Sequence, residues 1–212
     1  MRHVWYWLVR FGCWLVLDLR IYYLWSRLGR RLYEKDFVKK PIREYTNEDE
    51  LQMTMERWVW RRDPFWQLFD MISCPAYVEF QADNQRPVGD CDDFSVYAAQ
   101  ALQQIAQKQG GIGGKVIAEI SILTVPWMEK NGTISGHNVC VFRWLEQTKG
   151  WHWAWVSNWY DCKIQWNHPS GQTFEGPGEI AAHMCIQADA TNLRWARVTP
   201  DLRRVVQTGT AI

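Results

Sequence analysis

The chain lacks a compact cysteine framework. Its six cysteines are spread along the sequence, and no two of them form a Cys-x-x-Cys pair. This spacing argues against a disulfide scaffold and against a zinc ribbon, although a disulfide stays open if the chain is secreted. The sequence also lacks internal repeats and a charge imbalance: 24 basic and 23 acidic residues give a formal net charge of +1. We therefore expect no nucleic-acid partner.

A long uninterrupted apolar run is missing as well. The N-terminal segment from residue 4 to residue 25 is heavily apolar, but Arg10, Asp18 and Arg20 interrupt it. A bilayer-spanning helix needs about 20 apolar residues with few charges, so a span is disfavoured. No clean small-residue cleavage site follows, and we expect no cleaved signal peptide.

The same segment carries one apolar helical stripe, which comprises Trp7, Phe11, Trp14, Ile21, Trp25 and Leu28. Such a stripe is typical of a helix that docks on a partner, and we predict attachment to a protein assembly through it. Contact with a membrane surface is the alternative. The sequence does not decide whether the chain belongs to a virion or to a peripheral membrane assembly.

The chain length of 212 residues fits a single domain with a sizeable core and a short attachment segment. We assign residues 1–45 to the amphipathic docking helix and its charged linker, and residues 46–212 to the domain. Capping and periodicity signals predict helices over residues 46–60, 63–72, 91–109 and 176–189, and a first central strand over residues 115–125. Helices that precede antiparallel strands predict an α+β fold.

The most informative stretch is Gly89-Asp90-Cys91-Asp92-Asp93-Phe94, where a turn passes into a helix. Apolar residues recur after it at helical spacing, at Phe94, Ala98, Ala101 and Ile105. Cys91 is therefore expected in the first turn of a helix with one apolar face. Unpaired N–H groups and the positive end of the helix dipole bias a thiol there toward the nucleophilic thiolate. Simple packing is the alternative, because cysteine is among the most buried residue types.

A histidine stands further along the chain, in the strand that begins Gly136-His137-Asn138-Val139. Turn residues over 146–150 predict a hairpin whose paired positions sum to roughly 295 or 296, which sets His137 opposite Asn158 or Trp159. A histidine that is held by an amide and faces a thiol forms a Cys-His-Asn arrangement for acyl transfer. We predict Cys91 as the nucleophile, His137 as the base and Asn158 as the residue that orients its ring.

These motifs resemble the transglutaminase-like branch of the papain-like superfamily, and above all the bacterial transglutaminase-like cysteine proteinases. The resemblance covers about residues 75–165 and rests mainly on the acidic motif around Cys91. It implies a papain/transglutaminase-like core, in which a catalytic helix packs on an antiparallel sheet, and a cysteine peptidase or acyl transferase that acts on a protein or peptide. The family usually has an Asp as its third catalytic residue. This chain has Asn158 there, with Asp161 as the reserve candidate.

Carboxylates crowd the predicted nucleophile, and each negative charge opposes the thiolate. Asp90 and Asp93, together with backbone carbonyls, are candidate ligands for Ca²⁺. The proteinases that the chain resembles carry a calcium site at the matching acidic positions. Capping of the helix by Asp90 is the alternative. The acyl-transfer chemistry itself requires no cofactor.

The side-chain oxyanion donor is expected in the loop before Cys91, where the unranked candidates are Tyr77, Gln81, Asn84 and Gln85. The alternative to an enzyme is a structural subunit of a large assembly, for example a phage virion protein, that keeps the fold without catalysis. The docking helix and the 15 tryptophans suit that alternative.

Overall fold

The structure is a computed structural model, and it describes residues 42–61, 78, 86–159, 162–192, 194–200 and 204–210. The predicted docking helix, the predicted helix over residues 63–72 and Asp161 lie outside these ranges. So do the four loop candidates for the oxyanion donor.

The described part is a mixed α and β protein with a mostly antiparallel sheet and three helices. In chain order its elements are α1 (Glu48–Met55), β1 (Val59–Trp60), β2 (Val88–Gly89), α2 (Cys91–Gln109), β3 (Ile117–Glu129), β4 (Ile134–Glu146), β5 (Gly150–Val156), α3 (Pro177–Gln187), β6 (Ala190–Asn192), β7 (Trp195–Val198) and β8 (Val205–Gly209). The predicted helices at 91–109 and 176–189 correspond to α2 and α3. None of these helices is long and apolar enough to cross a membrane.

The main sheet has six strands. Five lie in the order β5-β4-β3-β7-β8, and β6 pairs separately with β3. The predicted hairpin is formed by β4 and β5, whose pairs run from Glu146 with Gly150 to Cys140 with Val156. This is the register expected from the turn. Pairing with β5 stops at Cys140, however, and the strand partner of His137 is Val125 of β3.

Two apolar clusters cover the two faces of this sheet. The cluster on the α2 side includes Cys140 and Phe142 of β4, whereas the cluster on the α3 side includes Val139 and Val141. Successive side chains of a strand point to opposite faces. Even-numbered residues of β4 therefore face α2, and odd-numbered residues face away from it.

The first helix differs from its predicted bounds at both ends. Its N-cap is Asn47, whose Oδ1 accepts the Glu50 N–H at 2.9 Å. The helix ends at Met55, five residues before the predicted end at Trp60. The chain leaves the helix there because β1 pairs in parallel with β2, a strand that is distant in sequence.

The pairing of β1 with β2 anchors the segment that leads into α2. The indole Nε1 of Trp58 donates a hydrogen bond to the carbonyl oxygen of Gly89 at 2.9 Å. The Trp58 ring also packs edge-on against Phe94, with ring centroids 5.0 Å apart. The start of α2 is thus held both by backbone pairing and by an aromatic contact.

Candidate active site

The predicted position of Cys91 at a helix start is confirmed, since Cys91 is the first residue of the 19-residue helix α2. Asp90 is its N-cap. The Asp90 Oδ1 accepts the Asp92 N–H at 3.2 Å, and the Asp93 Oδ2 accepts the Asp90 N–H at 3.4 Å. These reciprocal bonds form a capping box, which fixes the first turn of the helix and with it the position of the thiol.

A glycine makes this cap possible. A Cβ placed on Gly89 would lie 2.5 Å from both the Cβ and the Oδ2 of Asp93. No ordinary side chain fits at that separation, so the Asp93 carboxylate folds back over the chain only because residue 89 has no side chain. The hydroxyl of Ser95 adds a bond to the Cys91 carbonyl oxygen at 2.6 Å. Each of these contacts restricts the geometry of the turn that carries the thiol.

The thiol of Cys91 is partly exposed, whereas the other three cysteines of the described ranges are buried. Asn138 of β4 is a polar neighbour of this thiol, and its Nδ2 lies 3.9 Å from Sγ. Asn138 is only 6% exposed. Its Oδ1 is buried and makes no hydrogen bond within the described part of the chain. A buried side-chain amide therefore faces the candidate nucleophile.

The structure does not bring His137 to Cys91. His137 is an odd-numbered residue of β4, and its partner Val125 belongs to the cluster on the α3 side of the sheet. The ring accordingly lies on the face turned away from α2. Its Nε2 is 2.6 Å from the Oγ of Ser157, and the ring meets Trp159 edge-on with centroids 5.2 Å apart. The predicted contact between thiol and imidazole is therefore absent from this conformation.

The chemistry of His137 follows from its surroundings. Burial lowers its pKa to about 4, because a charged ring loses hydration there. The ring is thus neutral near pH 7, and it is oriented by a hydroxyl that is itself fully buried. The same Ser157 Oγ accepts the Trp159 N–H at 3.0 Å. His137 therefore has the environment of a packed, hydrogen-bonded histidine.

The two candidates for the third catalytic residue have different outcomes. Asn158 follows the end of β5 and is half-buried, but its Oδ1 makes no hydrogen bond among the described residues. The residue that contacts the His137 ring is its neighbour Ser157. Asp161 lies outside the described residues, so its predicted role stays a prediction.

The acidic residues around Cys91 act on the helix itself. The carboxylate of Asp93 belongs to the capping box, and the three ligand atoms that lie within 4.8 Å of one another come from Asp90, Cys91 and Asp92. Ca²⁺ takes roughly six to eight oxygen ligands. The described residues here supply two carboxylates and a sulfur, and the Asp90 Oδ1 already accepts a backbone N–H. The Ca²⁺ site at Asp90 and Asp93 stays a prediction, and the capping role of Asp90 is confirmed.

Sequence reasoning missed Asn138 and Ser157. The sequence does contain a signal that could have identified them, since each is a small polar residue next to a predicted catalytic residue. Comparison of the chain with protein-family models, with curated proteins and with solved structures yields no match.

Proposed function

We propose that this chain is a cysteine-dependent acyl-transfer enzyme, either an amide hydrolase that acts as a peptidase or an acyl transferase, with Cys91 as its nucleophile. One observation carries the proposal: a partly exposed thiol is the first residue of a capped 19-residue helix, and a buried amide faces it. The helix start favours the thiolate over the thiol. The transglutaminase-like pattern around Cys91 supports the same class, with a protein or peptide as the substrate.

The reaction at this site begins with attack of the Cys91 thiolate on a carbonyl carbon. A C–S bond forms, and the carbonyl electron pair moves to the oxygen. Collapse of this intermediate breaks the bond to the leaving amine, which takes up a proton. Water then releases a carboxylic acid, or a second amine receives the acyl group. The first outcome makes a peptidase and the second makes a transglutaminase.

The mechanism also needs a general base, which removes the proton of the Cys91 thiol. His137 serves in that role only when its ring reaches the α2 face of the sheet. A local rearrangement of β4 at His137 alone, with Asn138 kept in place, would bring the ring toward Cys91. The pairing of β4 with β5 has already ended at Cys140. The transglutaminase-like arrangement of the core, with His137 beside Cys91, is proposed for that state of the strand.

A structural role is the second candidate, and the placement of His137 favours it. A neutral imidazole, bonded to a buried hydroxyl on the far side of the sheet, contributes to packing and not to catalysis. On this hypothesis the chain is a subunit of a large assembly, such as a virion, that attaches through residues 1–45. Cys91 would then perform no chemistry.

Site-resolved alkylation distinguishes the two candidates. Iodoacetamide labelling of the full chain is followed from about pH 5 to pH 9, bracketing the ordinary cysteine pKa of about 8.5, and each cysteine-containing peptide is quantified by mass spectrometry. We expect Cys91 to react fastest and to stay reactive well below the pH at which an ordinary thiol loses its reactivity. Cys140 is the internal control, because burial raises the pKa of its thiol. Labelling of Cys91 no faster than that of the other cysteines would leave only the structural candidate.

A further inference from the structure

We infer that the side-chain amide of Asn138 is an oxyanion donor for the reaction at Cys91. This inference rests on the proposed function and deepens it, because it assigns the group that stabilises the tetrahedral intermediate. The oxyanion donor was expected in the loop before α2. Asn138 instead comes from β4, the strand that lies between β5 and β3 in the sheet.

The distance suits this role. The Nδ2 of Asn138 lies 3.9 Å from Sγ. When sulfur bonds to a substrate carbonyl carbon, the carbonyl oxygen develops its charge beside the sulfur, and an oxyanion donor acts from about 3 Å away from that oxygen. The backbone N–H of Cys91, in the first turn of α2, is the second donor that we assign to the oxyanion.

The burial of Asn138 supports a functional assignment. An amide that is nine-tenths buried loses its hydration, and an unsatisfied buried polar group costs about 1–3 kcal/mol. Here the Oδ1 is unsatisfied within the described ranges, and the Nδ2 has only a long contact with sulfur. Its neighbours on the same face, Cys140 and Phe142, are apolar and fully buried. The Nδ2 carries two N–H bonds, and the long contact with sulfur uses one of them, so the other is available to a substrate oxygen.

In the acylation step Asn138 exchanges no proton. The thiolate supplies the electron pair of the new C–S bond, and the displaced carbonyl pair resides on the oxygen until the leaving group departs. The amide only donates a hydrogen bond to that oxygen. Asn138 is thus expected to affect reactions that pass through an oxyanion and to leave other reactions of the same thiol largely unchanged.

Two reagents separate these classes of reaction on the full chain. Iodoacetamide alkylates Cys91 by displacement at a saturated carbon, without an oxyanion, whereas p-nitrophenyl acetate acylates it through a tetrahedral intermediate. We compare the wild type with Asn138→Ala and Asn138→Leu, and Thr124→Val is the matched control. Thr124 pairs with Asn138 across the strands and is half-buried. Acylation of Cys91 is followed by p-nitrophenolate release and by intact-protein mass.

The expected result is a loss of about 10²–10³-fold in the acylation rate of Asn138→Ala, the usual effect of removing one oxyanion donor. Its alkylation rate should change by less than about tenfold, and Thr124→Val should retain both rates. Asn138→Leu keeps the approximate size of the side chain and adds no charge but removes the donor, so it should lose acylation and keep alkylation as well. If thermal unfolding shows that Asn138→Ala does not fold, the second variant of Asn138 is used to test the inference.

Equal losses in both reactions would overturn the inference, since Asn138 would then act on the thiol or on packing. Unchanged acylation in both variants would overturn it as well. Failure of the wild type to acylate at Cys91 is a separate result, which overturns the proposed function together with this inference.

Discussion

The imidazole Nε2 of His137 lies 2.6 Å from the hydroxyl oxygen of Ser157, on the face of the sheet turned away from Cys91. This bond holds a ring whose pKa burial lowers to about 4. Near neutral pH the ring is uncharged and packed beside Trp159. His137 therefore couples the stability of the sheet to pH, whether or not it takes part in catalysis.

We predict that His137→Gln reduces the acid sensitivity of the fold. The folded pKa of about 4 is below the unfolded value of 6.5, so the unfolded state binds the proton first as the pH falls. The stability that the neutral ring contributes is complete above about pH 6.5 and is lost progressively toward pH 4, by roughly 3 kcal/mol for the full shift. Denaturant unfolding at pH 7.0, 5.5 and 4.5 is expected to show a smaller loss in the variant, on the order of that figure.

Burial also lowers the pKa of His183, so some acid sensitivity should persist in His137→Gln. The double variant with His183→Gln should reduce it further. An unchanged dependence of stability on pH in His137→Gln would show that the His137 ring of the wild type is solvated.

The His137→Gln variant should also keep the alkylation profile of Cys91, because the ring does not face the thiol. Loss of the low-pH reactivity would instead place His137 beside Cys91.

A second prediction concerns the residue that orients His137. Ser157→Ala removes the side-chain hydrogen bond that joins this ring to a described residue, a loss of about 1 kcal/mol. We expect it to shift the ring-nitrogen NMR signals of His137, while Asn158→Ala leaves them in place. If Asn158→Ala produced the larger shift, the ring would be held by Asn158, as the sequence predicted.

The sequence also predicts that Asn158→Ala lowers turnover more than Asp161→Ala does. An activity assay of the two variants measures this difference.

The start of α2 and the register of the hairpin were predictable because both depend on local signals. A helix cap is encoded within the four residues from Asp90 to Asp93, and the turn over 146–150 fixes which residues of β4 and β5 pair. These features require no knowledge of distant parts of the chain.

The face occupied by His137 was not predictable, because β4 is apolar on both sides. Val139, Cys140, Val141 and Phe142 are all fully buried, so the strand has no alternation of apolar and polar residues to indicate which side meets α2. The choice depends on which helix packs on which face. The residue at which α1 ends was not predictable for a similar reason. The chain leaves the helix to form β1, and the partner strand β2 lies far along the sequence.

A third prediction concerns the N-terminal segment. Removal of residues 1–34 should leave a domain that unfolds cooperatively but no longer associates with its assembly partner or a membrane surface, because the apolar stripe from Trp7 to Leu28 precedes a charged linker. Thermal unfolding and sedimentation of the full and truncated chains measure this. Loss of the cooperative transition on truncation would show that the segment belongs to the core.

The last prediction tests the cap that positions the thiol. In Gly89→Ala the new Cβ would lie 2.5 Å from the Asp93 carboxylate, so Asp93 must move and its bond to the Asp90 N–H is lost. We expect a destabilisation of about 1–3 kcal/mol from this overpacking and cap loss, and slower alkylation of Cys91 at neutral pH as the first turn frays. Gly176→Ala is the matched control, since Gly176 also stands at a helix N-cap but a Cβ there meets no atom within 4 Å. Unfolding midpoints and alkylation rates equal to those of the control would mean that the Asp93 cap does not set the reactivity of Cys91.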